Sequence, residues 1–251
     1  MPRRWTRRRV LLLFFPAALG FGLSVVGCGG PLIRQYEYEE DIHLSLDGSA
    51  VVYVNASVPA LVALRGLDLD PRPGARLDRV RVREIFSSQV GRVSQVSASR
   101  RAGRRFVHVR IDVPDIRQLG KAGPFAWSTY RLARADGVWT YEQKVGPSDG
   151  RQVGQVGWTG REVVAFRLHI PSRIEFHNTR AENFLRGNIL VWEQPLAERL
   201  AGRPLDIQVR MQTRSILRHT LLLFAGSGLA AIAALATLVW WVVRKGSRER
   251  A

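Results

Sequence analysis

Few residues in this 251-residue chain have the type and spacing that chemistry requires. His43, His108 and His169 each fall on the polar side of an alternating segment, so they converge on a metal ion only if the three segments are neighbours. Spacing alone does not bring them together, and the sequence assigns no metal and no cofactor. Glu37, Glu39, Glu40 and Asp41 offer oxygen ligands, but at the head of an alternating run they read as the solvated start of a strand. Arg100, Arg101, Arg104 and Arg105 crowd the turn "RRAGRR". Guanidinium groups that close together can engage anionic headgroups, each near-surface charge contributing on the order of 1 kcal/mol. The middle of the chain has no zinc-protease helix, phosphate loop, cysteine pair or nucleophile elbow, so no residue is assigned a catalytic role.

The single cysteine, Cys28, can make no internal disulfide. Ahead of it stand a basic cluster (Arg3, Arg4, Arg7, Arg8, Arg9) and an apolar run, Val10–Val26. That order is the layout of an export signal; an uncleaved anchor helix and a twin-arginine signal at Arg7-Arg8 are the alternatives. Val25-Val26-Gly27-Cys28 resembles the bacterial lipoprotein signal, in which small residues precede a cysteine that is lipidated before cleavage. Residues 1–27 are therefore read as a signal peptide ending in a lipobox, and Cys28 as a lipid attachment point.

A second apolar stretch, Thr220–Val243, carries no charge over 24 residues. As a helix it reaches about 36 Å, enough to cross a hydrocarbon core of about 30 Å. Trp240 and Trp241 at its end suit the headgroup region, and Arg244 and Lys245 follow. Residues 219–243 thus read as a transmembrane helix and 244–251 as a basic cytoplasmic tail. If the N-terminal signal sends the chain outward, this span returns it, which leaves residues 28–218 on the extracytoplasmic side. Gly226, Ala230 and Ala234 recur every four residues, a stripe through which two such helices can pack.

Those ends also explain much of the charge. The formal net charge is +17, but the N-terminal cluster accounts for +5 and the tail for +3, leaving +9 in between. That favours targeting and membrane contact over nucleic acid, which is not expected as a partner. The middle alternates with period two on either side of Asp47-Gly48 and Asp136-Gly137, and again around "RRAGRR", so three hairpins are expected. Ser57 and Pro59 open a short helix that Gly66 ends. Residues 77–86 place Leu77, Val80, Ile85 and Phe86 at helical spacing, although "VRVR" alone suits a strand. Glycines mark a flexible loop at 146–160, and strands follow at "VVAFRLHI", "NILVWEQ" and "LDIQVRMQ", with a short helix at "PLAERLAG". Trp127, Trp139, Trp158 and Trp192 are expected in the core, or else lining a pocket. Hairpins without βαβ alternation define an α+β domain built on an antiparallel sheet.

The order of parts, with Phe166-x-Leu168-x-Ile170-Pro171, then Ile174, Asn178 and Gly187-Asn188-x-x-x-Trp192, resembles the LppM-like lipoproteins of bacteria. In that family glycine usually follows the proline; here Ser172 stands there. The resemblance implies an α+β envelope domain with affinity for lipids or glycolipids and no catalysis. Two functions are expected from the whole: a doubly anchored envelope lipoprotein that binds lipid, or a scaffold for an envelope complex; a hydrolase ranks behind both. The lipid-binding expectation requires a cleft between the sheet and the short helices.

Overall fold

The computed structural model describes residues 34–180, 184–185 and 188–248, so residues 1–27, read from the sequence as a signal peptide, and Cys28 lie outside the described residues. Two sheets form. Strands β1 (Gln35–Leu44) and β2 (Ala50–Ser57) make the first hairpin. Asp47 Oδ1 accepts from the backbone and hydroxyl of Ser49, and Gly48 takes a φ of 91° in the turn. Helix α1 (Val58–Arg65) follows at once, with the Ser57 hydroxyl accepting from the Ala60 amide and Gly66 closing it at φ 61°.

Helix α2 (Arg79–Phe86) settles the ambiguity of "VRVR": the Asp78 carboxylate accepts from the amides of Val80 and Arg81, a cap that favours helix over strand. It buries Val82 and Phe86, whereas Val80, expected inside, is exposed. The second hairpin, β3 (Arg92–Arg101) and β4 (Arg104–Val113), turns through Ala102-Gly103, both at positive φ. Val107, Val109, Ile111 and Val113 form its buried face. Strands β5 (Ser128–Ala135) and β6 (Val138–Val145) turn at Asp136-Gly137, again with both φ positive, the type I′ geometry that matches strand twist. Then come β7 (Glu162–His169), β8 (Ser172–His177), β9 (Phe184–Leu185), β10 (Ile189–Pro195), α3 (Leu196–Leu200), β11 (Leu205–Ser215) and α4 (Ile216–Arg248).

The large sheet has the order β3-β4-β2-β1-β7-β10-β9, and the small one β5-β6-β11-β8. The class is α+β, with antiparallel sheets, short helices and one apolar C-terminal helix. One pair differs from the hairpin expectation: β1 and β7 run parallel in the middle of the large sheet. A single core joins the inner faces of both sheets, with Tyr38 and Phe166 of the large sheet meeting Trp127 at its centre.

Trp127 has two cations against its ring, the guanidinium carbons of Arg65 and Arg199 at 4.5 and 4.8 Å from the ring centre. Both arginines are buried and spend donors on backbone carbonyls, Arg65 on Pro124 and Arg199 on Gly146. The glycine-rich segment 146–160 has no helix or strand, yet it is tied down at several points. Gly146 N donates to Trp127 O, Arg151 N to Val62 O, and the Trp158 indole to Glu37, while Val156 is buried.

Candidate functional site

Strand β1 decides where the polar chemistry goes. Its even-numbered residues Tyr38, Glu40, Ile42 and Leu44 face the core, and Glu39, Asp41 and His43 face outward. Glu37 is also fully buried, next to a shift in the β1–β7 register. The acidic stretch is therefore not a solvated strand start. Glu40 accepts from the hydroxyls of Tyr38 and Tyr130 and from the Gln143 amide at 2.8–3.0 Å. Burial raises its carboxyl above the usual value, and these donors only partly oppose that. Glu37 pairs with Arg104 at 2.9 Å, with both side chains sealed from water. Alternation alone leaves the partners out of view, because they lie on distant strands.

That pair corrects the arginine cluster. Arg104 belongs to the core, and its guanidinium also donates to the Gly157 carbonyl. Arg105 is nearly buried and donates to the carbonyls of Asp70 and Arg72. Arg100 and Arg101 alone keep exposed positions, Arg100 reaching the Pro73 carbonyl and Arg101 lying 4.3 Å over the Phe106 ring. Two guanidinium groups, not four, remain for an outside anion. Residues next to a turn look solvated in sequence; here the turn folds back over Glu37.

The histidines divide two and one. Parallel pairing sets His43 of β1 opposite His169 of β7, and their rings stack 3.7 Å apart with planes 14° from parallel. Asp41, two residues before His43 and on the same face, brings Oδ1 to 2.9 Å from His169 Nε2 and 3.6 Å from His43 Nε2. Burial, then the neighbouring His169, lowers the His43 pKa, so its neutral imidazole is favoured. Around them stand Tyr53, edge-on to His43, and Arg110, whose guanidinium caps Tyr53. His108 lies away from this group on β4, between Asn55 Oδ1 and Ser99 Oγ. A parallel neighbour 126 residues downstream leaves no local trace in the sequence, so no spacing there groups Asp41 with these histidines.

The tryptophans also divide. Trp127 and Trp192 are core residues, and the Trp192 indole donates to Asn178. Trp139 is partly buried against the core under Arg134. Trp158 lines an open groove of 490 Å³ with Ala63, Ser148, Arg151, Val153 and Leu200. Between the large sheet and the short helices lie buried apolar side chains of the core, among them Leu61, Leu64, Val109 and Phe166. In the C-terminal helix, Leu221–Trp241 is long and apolar enough to span a membrane, and none of it is buried. Trp240 and Trp241 lie at its end and Arg244 and Lys245 just beyond, while Gly226, Ala230 and Ala234 fall on one exposed face.

The fold resembles that of the folded domain of LppM from Mycobacterium tuberculosis, determined by NMR. The two share 14% sequence identity over 73% of this chain and 96% of that one, with a TM-score of 0.42. No family model matches the chain, and no curated protein matches it.

Proposed function

We propose that the chain is a membrane-anchored bacterial envelope lipoprotein whose folded domain is a non-catalytic binding module for lipid or a lipid-like ligand. In this reading Cys28 carries a lipid, α4 spans the cytoplasmic membrane, and the domain stands on its outer side. The observation that carries it is α4 itself: Leu221, Leu222, Leu223 and Phe224 through Trp241 are exposed along a helix that continues directly from β11. Removing each such side chain from water is worth roughly 1.5–3 kcal/mol, so a bilayer is the natural solvent for this segment.

The ligand site this reading favours is an open groove. The groove beside Trp158 offers both an apolar wall, from Ala63, Val153 and Leu200, and a cation, Arg151. Trp158 bonds to the same Glu37 that holds Arg104, which links the groove to the base of the hairpin bearing Arg100 and Arg101. A lipid-like ligand with its acyl part on the groove and its anionic part toward the arginines fits that layout. Native mass spectrometry of the full chain released from nanodiscs tests it. The expected result is a noncovalent lipid adduct that Trp158→Ala diminishes at least severalfold; equal adducts in both would contradict the assignment.

A scaffold role has its own supporting observation. Strand β3 forms one edge of the large sheet, and most of its residues are exposed. An edge can accept a partner strand, although its arginines discourage indiscriminate pairing. In-cell crosslinking from β3 would recover one protein at stoichiometric yield if this reading holds, and a spread of unrelated proteins if it does not.

A further inference from the structure

We propose that Asp41, His43 and His169 form a binding site for a divalent transition-metal ion of the zinc class, independent of the lipid-binding groove. The ligand set is one carboxylate and two imidazoles, and their ligating atoms all lie within 4.8 Å of one another. In tetrahedral zinc coordination neighbouring ligand atoms stand about 3.3 Å apart. The observed 2.9 Å from Asp41 to His169 and 3.6 Å from Asp41 to His43 bracket that separation.

The backbone holds these side chains firmly. Strands β1 and β7 are interior strands of the large sheet, flanked by β2 on one side and β10 on the other. Ligands on paired interior strands are better pre-organised than ligands on loops. Asp41 Oδ1 is also shielded from solvent and accepts no hydrogen bond of good geometry, which leaves it lone-pair capacity for a metal ion. Binding asks for one rearrangement. Nearly parallel rings cannot both direct Nε2 in plane at one ion, so one imidazole must turn; the His43 side chain, 43% exposed, has room to do so. Three protein ligands leave the fourth position to water. Arg110, over the Tyr53 ring beside His43, opposes the incoming charge, and its pairing with Asp112 at 3.5 Å partly offsets that.

The test is titration of the purified full chain, free of affinity tag and stripped of metal, with Co²⁺ followed by visible absorption and with Zn²⁺ followed by calorimetry. One ion per chain, with a tetrahedral Co²⁺ band, is expected. His169→Ala and Asp41→Asn should each weaken binding at least tenfold, and His108→Ala should leave it unchanged. His43→Gln, altering the most exposed ligand, gives the same readout should His169→Ala fail to fold, as judged by circular dichroism. Binding no tighter in the full chain than in a His43→Gln/His169→Gln double variant, or weakened equally by His108→Ala, would overturn the site.

Discussion

The phenol of Tyr130, on the small sheet, donates to the buried carboxylate of Glu40, on the large sheet, at 2.9 Å. Gln143 of β6 donates to the same oxygen, and Tyr38 to the other. One acidic residue in the core thus ties two sheets whose other contacts are largely apolar. Truncation to Glu40→Ala strands three buried donors, so a loss of about 3 kcal/mol is expected, read from urea or thermal melts.

Glu40 also sets a pH dependence. Its folded-state pKa is raised, so the folded protein keeps the proton to higher pH than the unfolded chain does. The associated stability is fully present below the ordinary carboxylate value and declines as pH rises through the raised one. Glu40→Gln lacks this term. The stability gap between wild type and Glu40→Gln should therefore widen on moving from about pH 7.5 to about pH 4.5; a gap that narrows on acidification would show the opposite sign.

The histidines act in the other direction. Burial lowers both His43 and His108 below the ordinary imidazole value, with His169 and Arg110 near the first and Arg101 near the second adding to the effect, and Asp41 opposing it at His43. Neutral rings contribute stability above that value, and it is lost as pH falls through the lowered ones. His108→Gln should flatten the acid side of the melting-temperature profile below about pH 6.5 while leaving its alkaline side in place.

For the Glu37–Arg104 pair, the two single variants and the double variant separate cost from benefit. Arg104→Met leaves a sealed carboxylate with the Trp158 indole and the Gln35 amide as its remaining donors and should cost about 3–5 kcal/mol. Adding Glu37→Gln removes the stranded charge, so the double variant should recover a large part of that loss in the same melts.

Gly150 presses against α1: a Cβ there would stand 2.0 Å from the Ala63 carbonyl oxygen. Gly150→Ala should cost about 2 kcal/mol and detach the segment that carries the groove. Increased hydrogen exchange at Arg151, whose amide donates to the Val62 carbonyl, is the expected signature.

Local chemistry made much of this fold legible. Asp47-Gly48 and Asp136-Gly137 are turns because only small or flexible residues take those φ values cheaply, and Ser57 caps a helix because its hydroxyl can reach an amide three residues on. What depends on distant pairing was not legible. Glu37 and Glu40 look solvated until Arg104, Tyr130 and Gln143 arrive from other strands. Likewise the β1–β7 register, not any motif, joins His43 to His169 and leaves His108 outside. β8 leaves little local signal because its partner is the distant β11, and β9, next to its partner β10, is only two residues long.

The central claim, a folded domain outside the cytoplasmic membrane held by a spanning α4, is tested most directly by cysteine accessibility. In a Cys28→Ser background, Gln89→Cys, exposed just before β3, and Ser247→Cys, near the end of α4, are probed in spheroplasts with a membrane-impermeant maleimide. Labelling of Gln89→Cys in intact spheroplasts, and of Ser247→Cys only after lysis, is the predicted result. The reverse pattern, or labelling of both before lysis, would contradict it.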